Sequence, residues 1–264
     1  MSAVAPADCT GFADRVRARA LIALALLQPL AGRLAEITGR GVSIAQRSRA
    51  SRGPVTPADG AFVIWLPIFL ANIALGLRRA RGPRGDPLTR RIDWLAGIAL
   101  ASNSAWSLQA QFRGLGWPSV GIIGVGTTCA CAALVDAERA RGASPQARFA
   151  ARSLGPLAGW LTVATFANID AALSTAEGRG ARRPQTARAL ALIGGASAAA
   201  AGMSVASRGN LGYAAAAGWG LGGIALRNAR DRNRAVTVAA VVGLVAVGAV
   251  TAMVRGAERA ARRS

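Results

Sequence analysis

Long apolar segments recur along the whole length of the sequence. Seven of them run for roughly 17 to 21 residues and are almost free of charged side chains. They are residues 61–77, 94–112, 118–135, 153–173, 187–206, 210–226 and 235–254. A helix needs about 20 residues to cross the hydrocarbon core of a bilayer, so each segment is long enough for a transmembrane span. The pattern predicts an all-α polytopic membrane helix bundle, because a span in lipid must satisfy its backbone hydrogen bonds internally.

An eighth apolar segment, residues 20–34, is shorter and is interrupted by Pro29 and Arg33. It follows three arginines between residues 15 and 19, so it also resembles the charged and apolar regions of a signal peptide. No clear small-x-small cleavage site closes the run before Glu36, which favours a retained first helix. The prediction is therefore eight spans, with a signal sequence as the alternative for the first.

The charge of the chain is strongly positive, with a formal net charge of +20 and 32 basic residues against 12 acidic ones. Most arginines lie between the apolar segments, where they hold loops at an anionic lipid surface. This placement predicts membrane lipid, and not nucleic acid, as the partner of the positive charge.

With eight spans, the side that holds both termini carries 18 arginines and the other side 14. The asymmetry slightly favours cytoplasmic termini.

The basic residues are all arginine, and the chain is rich in alanine and glycine. This composition is typical of a bacterial genome with a high GC content. We therefore expect a multi-pass protein of a bacterial cell membrane.

The sequence contains no histidine, which excludes several kinds of catalytic and metal site. Ser-His-Asp and Cys-His catalysis, histidine-ligated haem and ordinary zinc sites all need that residue. We predict a protein that is not an enzyme and requires no cofactor or metal.

Eleven of the 12 acidic residues fall in loops, tails or helix ends, where solvated surface charge is expected. Asp170 lies inside an apolar segment, and it either reaches the interface or lies deeper, in a proton or cation role.

Amide side chains inside the apolar segments have two interpretations. In hydrocarbon they either form hydrogen bonds between helices or face a ligand. The amides concerned are Asn72, Asn103, Gln109, Gln111 and Asn168.

Three tryptophans, Trp65, Trp106 and Trp160, lie well inside their segments. Each has a polar or small residue three, four or seven positions away, on the same helical face. Three helices that each present an indole and an amide would line a flat, aromatic and weakly polar cavity. Such a cavity suits a planar hydrophobic ligand.

At these positions the chain resembles the TspO/translocator-protein family, the tryptophan-rich sensory proteins. The matching residues fall into three groups in the same order as in the family. They are Pro57, Trp65 and Phe69; then Asn103, Trp106, Phe112, Gly114, Gly116 and Trp117; and then Pro156, Trp160 and Asn168. The resemblance covers roughly residues 19–173.

The resemblance implies a five-helix membrane unit followed by three further transmembrane helices. We therefore divide the chain into an N-terminal tail (1–18), a TspO-like unit (19–175), a C-terminal membrane extension (186–255) and an arginine-rich tail (256–264).

The family resemblance also implies a pocket that binds porphyrins, haem or, in some members, sterols. Residues 53–60 would form its covering loop. Carried over by position, the pocket residues are Trp65, Phe69, Asn103, Trp106, Trp160, Ala164 and Asn168. Leu157 and Asp170 depart from the family's tyrosine and sterol-associated patterns, which argues against sterol binding by that motif. The loop has no tryptophan, which argues against porphyrin-degrading chemistry.

Three functions are compatible with these observations. The first is a sensory or regulatory membrane protein that binds a porphyrin-like or haem-like ligand in an aromatic pocket inside the bundle. The second is a small-solute transporter or carrier, with the asparagines and Asp170 along its path. The third is a membrane scaffold without a ligand, whose small-residue faces recruit a partner helix. A homodimer is compatible with each of the three functions.

Overall fold

The computed structural model describes residues 7–50, 53–81, 86–177, 185–261 and 263. Within these ranges the chain is helical and contains no strand. The helices are α1 (Ala7–Gly32), α2 (Leu34–Thr38), α3 (Ile44–Ala50), a 3-10 helix (Asp59–Ile64) that continues into α4 (Trp65–Arg81), α5 (Pro87–Phe112), α6 (Trp117–Arg139), α7 (Pro145–Glu177), α8 (Gln185–Ala206), α9 (Leu211–Arg230) and α10 (Arg234–Ala261). The all-α prediction is confirmed.

Each of the eight apolar segments forms a long helix in the described part of the chain. Four helical stretches are long and apolar enough to cross a membrane: residues 59–81, 117–139, 185–206 and 234–261. The other long helices carry more polar side chains on their buried faces, such as Asn103 and Gln111 on α5 and Asn168 on α7. These side chains lower the hydropathy of a helix that has protein neighbours around it.

Helix α7 lies at the centre of the bundle and is the longest described helix, with 33 residues. It packs against α4, α6, α8 and α9. Successive long helices run in opposite directions, so the first residues of α1 and the last residues of α10 lie at one end of the bundle. We call this end the termini side and the opposite end the pocket side. Contacts between Glu138 and Asn210, and between Ser204 and Thr251, join helix ends at the termini side.

The three C-terminal helices share a core with the first five. Helix α9 lies close to α7 because Gly155 and Gly159 present no side chain, and a Cβ on Gly159 would overlap the backbone of Tyr213. Tyr213 is fully buried, and its hydroxyl donates to Oγ1 of Thr162 on α7 at 3.1 Å. The glycine pair therefore allows close helix packing, as its spacing predicts. Helix α10 packs on α8 and α9.

The expectation that the acids outside the apolar segments are solvated is wrong for four of them. Asp14, Asp93, Asp136 and Glu138 are buried near the termini side. Arginines from the same or neighbouring helices surround them. The pairs include Asp14 with Arg17 at 2.6 Å and with Arg90 at 3.0 Å, Asp93 with Arg79 at 2.6 Å, Asp136 with Arg91 at 2.8 Å and Glu138 with Arg141 at 3.1 Å. Paired charges tolerate burial that isolated charges do not.

Helix α1 contributes buried side chains to the bundle, which is the role expected of a first membrane helix. Leu21 and Ala25 are part of the core. The amide of Gln28 accepts a hydrogen bond from Asn72 of α4 at 3.1 Å and approaches the carbonyl of Leu100 on α5 at 3.5 Å. The helix ends at Gly32, next to the predicted interruption at Arg33.

Candidate functional site

A small cavity lies at the pocket side, between α3, α4, α5, α6, α7 and the loop before the 3-10 helix. Its lining is mostly apolar and includes three tryptophans. The cavity volume is about 50 Å³. This volume holds a few water molecules, so a larger ligand requires the walls to move.

Five of the seven predicted pocket residues line this cavity: Trp65, Trp106, Trp160, Ala164 and Asn168. Phe69 and Asn103 are not part of the lining. Phe69 instead stacks on Trp65, with ring centroids 5.4 Å apart. Asn103 is buried, and its Oδ1 atom has no hydrogen-bond partner among the described residues.

The aromatic rings at the cavity form one continuous wall. Trp160 meets the rings of Phe62 and Trp65 edge to face, at centroid distances of 5.7 and 5.9 Å. Edge-to-face and stacked pairs are favourable arrangements for aromatic side chains. The wall joins α7 to the 3-10 helix and α4, and it presents flat apolar surface to the cavity.

The amide of Asn168 connects three helices. Its Oδ1 atom accepts hydrogen bonds from the indole N–H of Trp106 at 2.8 Å and from the hydroxyl of Ser119 at 3.3 Å. Its Nδ2 atom donates to the carbonyl of Ala164 at 2.8 Å. Asn168 thus lines the cavity and joins helices at the same time.

Two other amides from the sequence analysis act between helices and lie outside the cavity lining. Asn72 donates to Gln28, and Gln111 donates to the carbonyl of Ala31 at 2.6 Å while it accepts from the N–H of Ala35 at 2.7 Å. For these two residues the structure shows interhelical hydrogen bonding.

Arg47 on α3 is a lining residue that the sequence analysis missed. It is the one charged side chain among the described lining residues. Its Nε and Nη2 atoms donate to the carbonyls of Ala110 and Gln111, at 3.0 and 3.3 Å. Arginine near the last carbonyls of a helix is a common capping arrangement. The short helix that positions Arg47 has no strong periodic signal, so nothing in the local pattern singled this residue out.

Residues 59 and 60 of the predicted covering loop belong to the 3-10 helix, so we keep the name covering loop for residues 53–58. These residues close one side of the cavity. Thr56 and Pro57 of this loop belong to the lining. Helix α9 of the C-terminal region holds the loop and the following 3-10 helix by three hydrogen bonds. They run from Asn228 Nδ2 to the Pro54 carbonyl at 2.7 Å, from the Ala58 N–H to the Gly223 carbonyl at 3.0 Å, and from Trp219 Nε1 to the Ala61 carbonyl at 2.8 Å.

Asp170 holds the covering loop from α7. It is fully buried, and its Oδ2 atom accepts the N–H of Val55 at 3.1 Å. Its Oδ1 atom pairs with Nε of Arg188 on α8 at 2.9 Å, and Arg188 also donates to the hydroxyl of Ser174 at 2.7 Å. A side chain at Gly53 would overlap the Asp170 carboxylate. The Asp170 carboxylate is therefore buried inside the protein and paired with an arginine.

No group of three or more Cys, Asp or Glu side chains that could hold a metal ion occurs within the described ranges. The cavity is apolar and aromatic, with one guanidinium, one amide and the side chains of Ser48 and Thr56 as its polar groups. Such a site can bind by stacking, burial and a few hydrogen bonds.

The chain matches a known protein family. A family model described as "TSPO-like protein" matches residues 20–253. The match reaches all eight long helices described here, and thus extends beyond the residues 19–173 that carry the sequence resemblance. No curated protein and no solved structure matches the chain. Four apolar helical stretches and this match identify an integral membrane protein. The chain belongs to the TSPO-like family.

Proposed function

We propose that the protein is a non-enzymatic membrane receptor that binds a flat, hydrophobic ligand of the porphyrin or haem class in the aromatic cavity. The bound ligand has a sensory or regulatory effect, and the protein carries no resident cofactor. The observation that carries the proposal is the meeting of Trp65, Trp106 and Trp160, from three helices, at one apolar cavity. Rigid indoles provide large contact areas for a planar ligand.

Ligand entry requires the covering loop to move, because the closed cavity of about 50 Å³ is too small for a tetrapyrrole. The covering loop is held by hydrogen bonds to α7 and α9 and by the burial of Val55, Thr56 and Ala58, so ligand binding must supply the free energy that opens it. Each such bond contributes about 0.5–1.5 kcal/mol net. Binding then shifts the protein from a closed to an open arrangement of the covering loop, which is a change that a sensor needs.

Arg47 gives the site a preference for acidic ligands. Its guanidinium lies at the cavity and bonds to backbone carbonyls. A ligand carboxylate that reaches it would form a charge-assisted hydrogen bond. Porphyrins that carry carboxylate groups are therefore expected to bind more tightly than their neutral esters.

The test is a tryptophan-fluorescence titration of the full-length protein in neutral detergent with protoporphyrin IX, its dimethyl ester and haem. We expect saturable quenching, and Trp65→Leu should raise the Kd about tenfold through lost stacking and burial. Arg47→Gln should weaken binding of the free acid and leave the ester unchanged.

Trp94→Leu is the matched control for Trp65→Leu. Trp94 is 63% exposed and lies near the start of α5, at the termini side, so its replacement should leave the Kd unchanged. Equal Kd values for the wild type and Trp65→Leu would contradict the proposed site. Absence of saturable quenching by all three ligands would reject tetrapyrrole binding.

One observation favours the scaffold alternative. Trp106 and Trp160 are 6% and 2% exposed, so these two rings already pack against neighbouring helices. A scaffold would show no saturable ligand binding and would retain a partner helix through its small-residue faces.

The transporter alternative places Asp170 on a solute path, and proteoliposome uptake that is lost in Asp170→Asn would support it.

A further inference from the structure

A second surface, at the termini side, is lined by arginines from several helices. Two adjoining open cavities of about 270 and 590 Å³ lie between the ends of α6, α8 and α10 and the starts of α7 and α9. We call them together the arginine cleft. Its charged residues are Arg139, Arg141, Arg148, Arg152, Arg208, Arg255 and Arg259, with Glu138 and Glu258. Three of the seven arginines pair with acids, Arg139 with Asp136, Arg141 with Glu138 and Arg208 with Glu258. The other four leave a positive excess at this surface.

The floor of the arginine cleft is built from fixed polar groups. Glu138 is 2% exposed and is held by Asn210 Nδ2 at 2.6 Å and by Arg141 at 3.1 Å. Arg148 donates to the carbonyl of Arg141, and Arg255 donates to the carbonyl of Gly209, each at 3.3 Å. Backbone carbonyls orient these guanidinium groups without cancelling their charge. The cleft therefore presents oriented cations that suit phosphate oxygens.

An apolar groove runs from this cleft along the exposed side of α9 and α10. The groove has a volume of about 660 Å³ and shares Arg255 and Arg259 with the arginine cleft. Its walls are mainly small or apolar: Leu211, Ala214, Ala215, Gly218, Leu244, Gly248, Thr251, Ala252 and Gly256. From Leu244 to Gly256 the helix rises about 18 Å at 1.5 Å per residue. One leaflet contributes about 15 Å of hydrocarbon, so the groove is as long as a leaflet is deep.

We propose that the arginine cleft and this groove together form a binding site for an anionic phospholipid. The phosphate lies among the arginines, and an acyl chain lies in the groove between α9 and α10. The ligand is a lipid because a basic cleft opens directly into an apolar groove, and an amphipathic anion matches both parts. A free phosphate would leave the groove unused, and a neutral partner helix would leave the arginines without counter-charge.

The test uses the full-length protein in neutral detergent, with binding of phosphatidylglycerol and phosphatidylcholine measured by native mass spectrometry. Phosphatidylglycerol should bind more tightly. Arg255→Gln combined with Arg259→Gln should weaken its binding about tenfold or more, since both cations face the headgroup. The matched control is Arg230→Gln with Arg234→Gln at the pocket side, where two exposed arginines flank the turn between the same helices.

The groove is tested separately by Gly248→Leu. A Cβ at Gly248 meets no atom within 4 Å, so the leucine fills the groove without a backbone clash. Gly202→Leu on α8 is the control, because its Cβ also has open space. Only Gly248→Leu should reduce phosphatidylglycerol binding.

Three results would overturn the proposal. Equal binding of the two lipids would show that the arginines do not select charge. Equal losses in the two arginine double variants would indicate general electrostatic attraction. Full competition by inorganic phosphate, together with unchanged lipid binding in Gly248→Leu, would show that the cleft is a site for free anions.

Discussion

Asp170 on α7 and Arg188 on α8 form an ion pair, with 2.9 Å between Oδ1 and Nε, and the Asp170 side chain is completely buried. The pair joins the central helix to the C-terminal region and lies directly behind the covering loop. The other oxygen of the same carboxylate accepts the N–H of Val55 in that loop. One carboxylate therefore takes part in both helix pairing and loop closure.

Replacing Arg188 by Met should destabilise the protein strongly. The variant leaves the Asp170 carboxylate buried without its cation, which costs about 3–5 kcal/mol in buried pairs. The double variant Asp170→Asn with Arg188→Met should recover part of this loss. The measurement is denaturant unfolding in detergent.

The matched control for this ion pair is Arg33→Gln. Arg33 pairs with Glu36 at 3.1 Å, but the two side chains are 74% and 49% exposed. An exposed pair contributes about 0–1 kcal/mol. Equal losses for Arg188→Met and Arg33→Gln would show that the Asp170 pair is not buried in the folded protein.

Replacing Asn228 by Ala should loosen the covering loop without unfolding the bundle. The change removes the hydrogen bond from Asn228 to the Pro54 carbonyl. Backbone amides of residues 53–58 should then exchange hydrogen faster, which mass spectrometry detects. The control is Asn233→Ala, which removes an Asn cap from the N–H of Val236 at the start of α10. Faster exchange of the loop in both variants would indicate general destabilisation.

Replacing Gly159 by Ala should separate α7 from α9. The added Cβ meets the backbone of Tyr213, and the resulting shift costs about 1–3 kcal/mol, as other overpacked cores show. Gly124→Ala on α6 is the control, because its Cβ has open space. That change should be neutral or stabilise the helix by up to about 1 kcal/mol. Thermal unfolding compares the two, and similar midpoints would contradict close packing at Gly159.

The long helices could be predicted because the length and hydropathy of a segment are local properties. The cavity was partly predictable for the same reason. Trp160, Ala164 and Asn168 share a helical face by spacing alone, and the structure places all three at the cavity. Helical spacing alone is not sufficient for Asn103. It places Asn103 on the same helical face as Trp106, but it does not determine which neighbouring helix that face contacts.

The contacts that close the cavity could not be predicted from local patterns. Asn228 and Pro54 are 174 positions apart, and Val55 and Asp170 are 115 apart. Each contact depends on where a distant helix meets the covering loop. The burial of Asp93 has the same origin, since Arg79 reaches it from α4. A single sequence contains the residues of such pairs without indicating the pairing.

The hydrogen bonds between α9 and the covering loop have a consequence for assembly. The groups that close the cavity belong to the same polypeptide, so their effective concentration is set by the connecting chain and not by how much protein the membrane contains. Dilution in lipid therefore leaves the closed fraction unchanged. Under the proposed function, the ligand concentration and not the expression level would set the state of this loop.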